Sequence, residues 1–135
     1  MELYSIASGS SGNSIFAGTS ADRPGILLDA GISKKRIEEG LAQRQLSLDQ
    51  VEAVFITHEH ADHISGLGPV ARKYAIPIYA TEGTIRYIRE TGKCGKIDPD
   101  LFRCIKPDQS VHAAGMEITP FSISHDAADP VGYTM

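Results

Sequence analysis

The sequence has few cysteines, no tryptophan and no long apolar run. The scarcity of cysteine argues against a protein held together by disulfides, and the lack of a long apolar run argues against a membrane-spanning segment. The 135 residues include two cysteines, Cys94 and Cys104, which are too few for a disulfide framework and lack the spacing of a metal-binding pair. No run approaches the ~20 apolar residues that cross a bilayer, and the N-terminus lacks the regions of a secretory signal. We therefore expect a cytoplasmic protein with two free thiols and no membrane association.

The net charge says little about which kind of molecule the protein binds. The formal charge is −4, so the chain as a whole does not attract nucleic acid. Basic residues cluster locally, but such clusters are more often the solvated faces of helices than phosphate-binding tracks. Because bound metal ions can supply the positive charge that a phosphate needs, mild acidity does not exclude a nucleic-acid substrate.

The pattern of apolar residues predicts an α/β protein with a sheet and outer helices. The predicted strands of the first part lie at 2–8, 13–18, 25–31, 51–57 and 76–80. The predicted helices lie at 33–44, 67–74 and 82–91, with Ser33 and Thr81 as N-caps and Gly92 closing the last one. After Pro99 only strands are predicted, at 101–106, 109–114, 116–124 and 131–135. We expect a single domain over 1–135 that is cut short at its C-terminus.

The most informative stretch is FITHEHADHISG at 55–66, which contains three of the five histidines. His58 and His60 are two residues apart at a strand end, so in an extended chain they point to one side and can reach one ion. A turn toward a helix can bring Asp62 and His63 to the other side of the same pocket. This division suits a binuclear centre of zinc or manganese, which accept such nitrogen and oxygen ligands. The alternative is a solvated turn that is rich in imidazole by chance.

A binuclear site needs further groups from elsewhere in the chain. His125 ends an apolar strand as His58 does, and we interpret it as another ligand, whereas His112 has no such companion and is taken as structural. Asp29 follows a short strand. Its carboxylate either accepts a hydrogen bond from a ligand imidazole or caps the next turn.

The loop SGSSGNS at 8–14 superficially resembles a phosphate cradle. It lacks the lysine and the spacing of a P-loop. We favour a tight hairpin turn. The alternative is that backbone amides or Asn13 approach a substrate.

These motifs resemble those of the metallo-β-lactamase superfamily. THEHADHISG is similar to its metal-binding signature, LLDAG to the aspartate motif before it, and SHDAADPVGY to its third motif. The resemblance implies an αββα sandwich with a binuclear site at one edge, of which this chain would form the N-terminal portion, a mixed sheet with outer helices. SGSSGNS, LLDAGIS and HEHADHISGLG together resemble the bacterial YycJ/WalJ-like branch, cytoplasmic proteins regarded as DNA exonucleases.

The resemblance also implies roles for individual residues. Two divalent ions, zinc or manganese, would be bound in the complete domain, the first by His58, His60 and His125 and the second by Asp62 and His63. Asp29 would accept a hydrogen bond from a metal-binding imidazole without binding the ion itself. The family's bridging aspartate and final histidine ordinarily come later in the sequence. We therefore expect one tightly bound ion and little or no hydrolysis from this chain alone.

The leading hypothesis is a metal-dependent hydrolase, most specifically a phosphodiesterase or exonuclease that acts on DNA in preference to RNA. Asp62 would be a metal ligand that could also assist proton transfer. Two alternatives stay open. One is a glyoxalase II-like thioester hydrolase with the same histidine cluster. The other is a non-catalytic metal-binding half that a second polypeptide or self-association completes.

Overall fold

Two sheets and a set of helices make up the fold. The computed structural model describes residues 2–19, 24–123 and 127–135. The described strands are β1 (Glu2–Ala7), β2 (Ser14–Gly18), β3 (Gly25–Leu28), β4 (Val51–Phe55), β5 (Ile78–Thr81), β6 (Phe102–Ile105), β7 (Val111–Ala113), β8 (Met116–Ser122) and β9 (Val131–Thr134). The described helices are α1 (Lys34–Ala42), α2 (Ala61–Ile64), α3 (Leu67–Tyr74) and α4 (Glu82–Thr91), with single 3₁₀ turns at Leu48–Gln50 and Pro99–Leu101.

The larger sheet is mixed and keeps its strands in chain order, from β1 to β6. Strands β1, β2 and β3 pair antiparallel, and β3, β4, β5 and β6 pair parallel. Parallel neighbours need crossover connections, which α1, α3 and α4 supply. The smaller sheet is antiparallel in the order β7, β8 and β9.

Both faces of the larger sheet are covered, as expected for a sheet with parallel strands. Alternate residues of the central strands divide between two cores. Leu27 and Val54 pack under the helices, together with the fully buried Ile37 and Leu41 of α1. On the other face Phe55 packs with residues of β7 and β8. The layers are therefore helices, larger sheet and smaller sheet.

The predicted helix bounds agree with the structure where a cap marks the end. The Ser33 hydroxyl accepts a hydrogen bond from the Arg36 amide at 3.2 Å, and Gly92 ends α4 in a left-handed conformation with φ 65°. Thr81 does precede α4, but its side chain makes no capping hydrogen bond to the helix. Instead its hydroxyl donates to the Asp129 carbonyl at 2.7 Å.

Two predicted strands end earlier than expected. The strands predicted at 25–31 and 51–57 stop at Leu28 and Phe55. Directly after Leu28, the left-handed φ of 64° at Asp29 ends the extended conformation. The prediction missed helix α2 altogether, since four residues are too short to show a helical repeat. No helix among the described ranges has the length and apolar character that a membrane span requires.

Candidate metal centre

The candidate site lies where two neighbouring parallel strands end. Leu28 of β3 is paired with Phe55 of β4, and the Asp29 amide donates to the Phe55 carbonyl at 2.8 Å. The segment Thr57–His63, which we call the histidine loop, therefore starts beside Asp29. Side chains that follow adjacent parallel strands meet at one edge of a sheet, so the fold brings the two predicted motifs together.

Three side chains of the histidine loop converge. One ligand atom from each of His58, Asp62 and His63 lies within 4.8 Å of the others. Helix α2 carries Asp62 and His63 and turns them back toward His58, whose ring centroid lies 4.0 Å from that of His63. His58 is 7% exposed, so this group is partly withdrawn from water.

His60, another predicted ligand, lies outside this group. The His60 ring lies beside His58, with centroids 4.7 Å apart and planes at 84°, but His60 is outside the group of three. His58 thus converges with the pair that was predicted to serve the second ion. His125 lies outside the described residues. The division of ligands between two ions stays a prediction.

Asp29 is a buried carboxylate that forms a hydrogen bond with one member of this group, His63. It is 5% exposed and has φ 64°, a left-handed conformation that aspartate tolerates better than most residues. Its Oδ2 lies 2.6 Å from His63 Nδ1, so the hydrogen bond considered for Asp29 is present. The bond occupies Nδ1 and leaves Nε2 of His63 to face Asp62, whose Oδ2 is 3.6 Å away. A carboxylate on the far nitrogen fixes the tautomer and the ring plane of a metal-binding imidazole.

The charge state of His63 reflects competing influences. Burial lowers the pKa of His63, whereas the hydrogen bond with Asp29 and the negative charges of Asp29 and Asp62 raise it. The net result is a pKa above the ordinary histidine value. The surroundings of this imidazole therefore favour positive charge at the ring.

Thr57 is a functional candidate that the sequence reasoning missed. Its amide donates to Asp29 Oδ1 at 2.8 Å and its hydroxyl donates to Asp29 Oδ2 at 2.8 Å. The same hydroxyl oxygen lies 3.0 Å from His58 Nδ1 and can accept its proton, which would leave Nε2 of His58 toward the group. The available signal was a polar residue directly between the apolar strand and the first histidine.

Asn13 joins the loop at 8–13 to the histidine loop. Its backbone amide donates to the Asp62 carbonyl at 2.8 Å. Its side-chain nitrogen is 3.4 Å from both Asp62 Oδ2 and His63 Nε2. The same side chain closes its own loop through Gly9. The favoured interpretation of this loop, a hairpin turn, is confirmed by the antiparallel pairing of β1 and β2. A contact between Asn13 and substrate stays a prediction.

The glycine of LLDAG permits a close backbone approach. A Cβ on Gly31 would lie 1.8 Å from the Asp62 carbonyl oxygen and 2.8 Å from the Asn13 nitrogen. Hydrogen bonds hold these backbones together, since the Gly31 backbone amide donates to the Asn13 carbonyl and the Asn13 backbone amide to the Asp62 carbonyl, both at 2.8 Å. Any side chain at Gly31 would therefore displace the histidine loop.

Comparison with known proteins agrees with this arrangement. Residues 25–135 match the family described as the beta-lactamase superfamily domain. The chain belongs to this family. Among relatives, it is 39% identical over 128 residues to exodeoxyribonuclease YycJ of Bacillus anthracis, covering 95% of this chain and 47% of that protein. It is 40% identical over 131 residues to exodeoxyribonuclease WalJ of Streptococcus pneumoniae, covering 96% and 48%. The chain thus spans about half the length of these relatives.

Solved structures of the superfamily share the fold. The Rm3 metallo-beta-lactamase superposes with a TM-score of 0.78 at 16% identity, covering 97% of this chain and 52% of that one. The FEZ-1 metallo-beta-lactamase from Legionella gormanii gives 0.79 at 13% identity, covering 98% and 54%. These likenesses confirm the predicted fold class, an α/β fold of the metallo-β-lactamase type.

The side chains present fit the divalent metal that this fold implies. Two imidazoles and a carboxylate within 4.8 Å form a nitrogen and oxygen donor set of the kind that zinc and manganese accept. In addition, Thr57 and Asp29 occupy the Nδ1 side of His58 and His63. Preoriented donors of this kind favour a bound ion over a solvated polar turn.

The histidine and the two cysteines that the sequence did not assign to a metal site, His112, Cys94 and Cys104, lie outside the candidate metal group. His112, on β7, is 74% exposed in its side chain, with Nε2 3.7 Å from Glu117 Oε2. The two thiols are free as predicted, Cys94 buried and Cys104 exposed. Burial also raises the pKa of the Cys94 thiol. Neither cysteine belongs to the candidate metal group found among the described residues.

Proposed function

We propose that this chain carries the metal-binding part of a metal-dependent phosphodiesterase that acts as an exonuclease on DNA. The observation that carries the proposal is the convergence of His58, Asp62 and His63 at the sheet edge. Identity of about 40% to two proteins named exodeoxyribonucleases supports the substrate class. We further propose that residues 1–135 belong to one domain.

The proposed ligand sets follow the sequence hypothesis. His58, His60 and His125 would hold one ion, and Asp62 and His63 would contribute to a second. Bound zinc or manganese ions would supply positive charge and Lewis acidity for the attack of water on a phosphodiester. Thr57 and Asp29, which lie within hydrogen-bond distance of Nδ1 of His58 and of His63, would orient both imidazoles for this role.

Two residues at the rim of the group have further proposed roles. The Asp62 side chain is 35% exposed, so its carboxylate is accessible for moving a proton as well as for binding metal. The Asn13 side-chain nitrogen lies beside the same carboxylate, where a small shift would let it donate to a phosphate oxygen. Both roles would operate at the solvent side of the group.

DNA is the proposed substrate and RNA the second candidate. The chain is also 34% identical over 92 residues to ribonuclease J 1 of Streptococcus pyogenes, covering 64% of this chain and 16% of that protein. That shorter similarity supports nucleic acid as the class of substrate. The longer matches to the exodeoxyribonucleases favour DNA within it.

Metal binding is tested first, on the chain itself. We expect His58→Ala and His60→Ala each to abolish tight binding of the first ion, because losing one of three protein ligands leaves an ion mostly surrounded by water. His112→Ala is the matched control and should bind as the unaltered chain does. Mass spectrometry of metal content after desalting measures the result. An equal loss in the His112 variant would show that the ligand set is wrong.

Substrate class is tested on the longest natural polypeptide that contains this sequence. End-labelled DNA and RNA strands of one sequence, with Mn²⁺ or Zn²⁺ present, should give DNA cleavage from an end. Absence of cleavage of either strand by metal-loaded protein would overturn the nuclease proposal. Faster hydrolysis of S-lactoylglutathione would favour the thioesterase alternative, and bound metal without any hydrolysis the non-catalytic one.

A further inference from the structure

Glu59 is a buried carboxyl group for which the proposed function gives no role. It stands between His58 and His60 in the chain and is 6% exposed. Its Oε2 accepts a hydrogen bond from the Ala128 amide at 2.8 Å. Its Oε1 is buried and has no hydrogen-bond partner among the described residues. Because a buried polar atom without a partner costs free energy, an apolar side chain would serve better here if packing were the only requirement.

The bonding partner of Glu59 lies in a segment that is itself firmly held. Besides the Glu59 bond, the Asp129 carbonyl accepts from the Thr81 hydroxyl at 2.7 Å, and the Val131 amide donates to the Thr57 carbonyl at 2.9 Å. A Cβ on Gly83 would lie 2.7 Å from Asp129 Cβ, so the segment also packs tightly against the start of α4. Ala128 therefore offers a fixed point outside the histidine loop.

The position of Glu59 in the chain determines what this bond constrains. Neighbouring side chains in extended backbone point to opposite sides, and His60 has extended φ and ψ values of −65° and 148°. Glu59 is accordingly not in the candidate metal group. Its bond instead restrains the backbone from which the imidazoles on either side project.

We propose that Glu59 is a positioning residue for the metal centre. By accepting the Ala128 hydrogen bond, its carboxyl anchors the backbone between His58 and His60 and so fixes the spacing of the two imidazoles. The inference rests on the proposed function, since the spacing matters only if these imidazoles bind metal. Asp29 and Thr57 contact single rings, those of His63 and His58. Glu59 would instead fix the separation of the backbone positions that carry His58 and His60.

The test measures Co²⁺ binding to the full chain by visible absorption, whose intensity reports coordination geometry. Glu59→Gln keeps an acceptor oxygen, whereas Glu59→Met is similar in size and accepts no hydrogen bond from the Ala128 amide. We expect Glu59→Met to weaken Co²⁺ binding about tenfold, as loss of a group supporting a metal ligand typically does, and to alter the spectrum. Glu59→Gln should keep the Co²⁺ affinity and the spectrum of the unaltered chain. Glu52→Gln, at an exposed position of β4, is the control and should change neither.

The outcomes separate this inference from the proposed function. If His58→Ala binds Co²⁺ normally, the metal site itself is wrong. If His58→Ala loses binding but Glu59→Met does not, the site stands and the role of Glu59 is overturned. A tenfold loss in Glu59→Gln would also overturn it, and this variant decides the matter should Glu59→Met not fold. Urea unfolding of each metal-free variant identifies variants that have lost the fold.

Discussion

Asp29 and Glu38 are two carboxylates that each join distant segments, one inside the protein and one on its surface. Asp29 accepts hydrogen bonds from Thr57 and His63, 28 and 34 residues away. Glu38 accepts from the Lys73 ammonium at 3.0 Å and from the Tyr74 hydroxyl, 35 and 36 residues away. The Asp29 side chain is 7% exposed and that of Glu38 is 27% exposed. The two networks resemble each other in connectivity and differ in burial.

Burial decides what each network can do. Water can replace a missing acceptor at the surface, whereas donors left inside the protein stay unsatisfied. The Glu38 cluster therefore adds modestly to the contact between α1 and α3. The Asp29 network can hold imidazoles in one orientation because the carboxylate at its centre is buried. The comparison predicts that equivalent substitutions will have unequal effects.

The largest effect is expected for Asp29→Ala. This change leaves the Thr57 amide and the His63 ring without their acceptor and puts alanine at φ 64°, so the free energy of unfolding should fall by about 3 kcal/mol. Metal affinity should fall at least about tenfold. Glu38→Ala is the matched variant and should cost less than about 1 kcal/mol. Urea denaturation of the two variants measures both values, and equal losses would refute the comparison.

Gly31→Ala should have the next largest effect. The added Cβ would collide with the Asp62 carbonyl oxygen at 1.8 Å, so we expect a loss of about 2 kcal/mol from the strain of overpacking together with weaker metal binding. Gly115→Ala is the control, because that glycine has φ 74° but nothing within 4 Å of an added Cβ. Calorimetric metal titration should show normal affinity for the control. A normal affinity for Gly31→Ala would mean that the loop has room to shift.

Thr57→Val should have a smaller effect. The substitution keeps the shape and the backbone bond to Asp29 but removes the hydroxyl between Asp29 and His58, so about 1 kcal/mol of stability should be lost. Metal affinity should fall severalfold because the His58 ring loses one restraint. Thr91→Val removes an exposed hydroxyl that donates to a carbonyl and serves as the control. Unchanged metal affinity in Thr57→Val would show that the Thr57 hydroxyl has no role in the metal centre.

The smallest effect is expected for Tyr74→Phe, and it should depend on pH. The hydrogen bond from Tyr74 and then that from Lys73 lower the pKa of Glu38 below its ordinary value of 4.5. A carboxyl whose pKa is lower in the folded state stabilises the protein above its unfolded pKa and loses that contribution as the pH falls. The variant should therefore lose less than about 1 kcal/mol at pH 7, and the difference should shrink in acid. Urea denaturation at several pH values tests this, and a difference that grows in acid would contradict it.

Sequence reasoning succeeded where the determining interactions are local. The bounds of α3 and α4 agree with the prediction because the apolar repeat and the closing Gly92 lie within the helices themselves or next to them. The histidine loop was recognisable because its spacing is itself local. The hydrogen bond of Asp29 could only be offered as one of two possibilities, since its partner His63 is 34 residues away.

The interactions that the sequence concealed depend on distant partners. Thr57 has only its place between the apolar strand and His58 to mark it, and Glu59 has no local feature. Their partners lie 28 and 69 residues away. Thr81 was expected to cap α4, but its hydroxyl bonds to Asp129, 48 residues away. The role of His125 and the assignment of residues 1–135 to one domain stay predictions. Distant tertiary contacts determine the hydrogen bonds of Thr57, Glu59 and Thr81, which the local pattern does not reveal.

The long separations around the histidine loop have a consequence for folding kinetics. His58, Asp62 and His63 are neighbours in the unfolded chain. Asp29, Asn13 and Ala128 contact the histidine loop, at Thr57, Asp62 and Glu59, only after loops of 28 to 69 residues have closed. Closing such loops costs chain entropy before any contact stabilises them, and non-local contacts slow folding. We therefore expect the oriented site to form with the last cooperative step of folding. Metal added early in refolding would meet only the histidine loop without these supporting contacts.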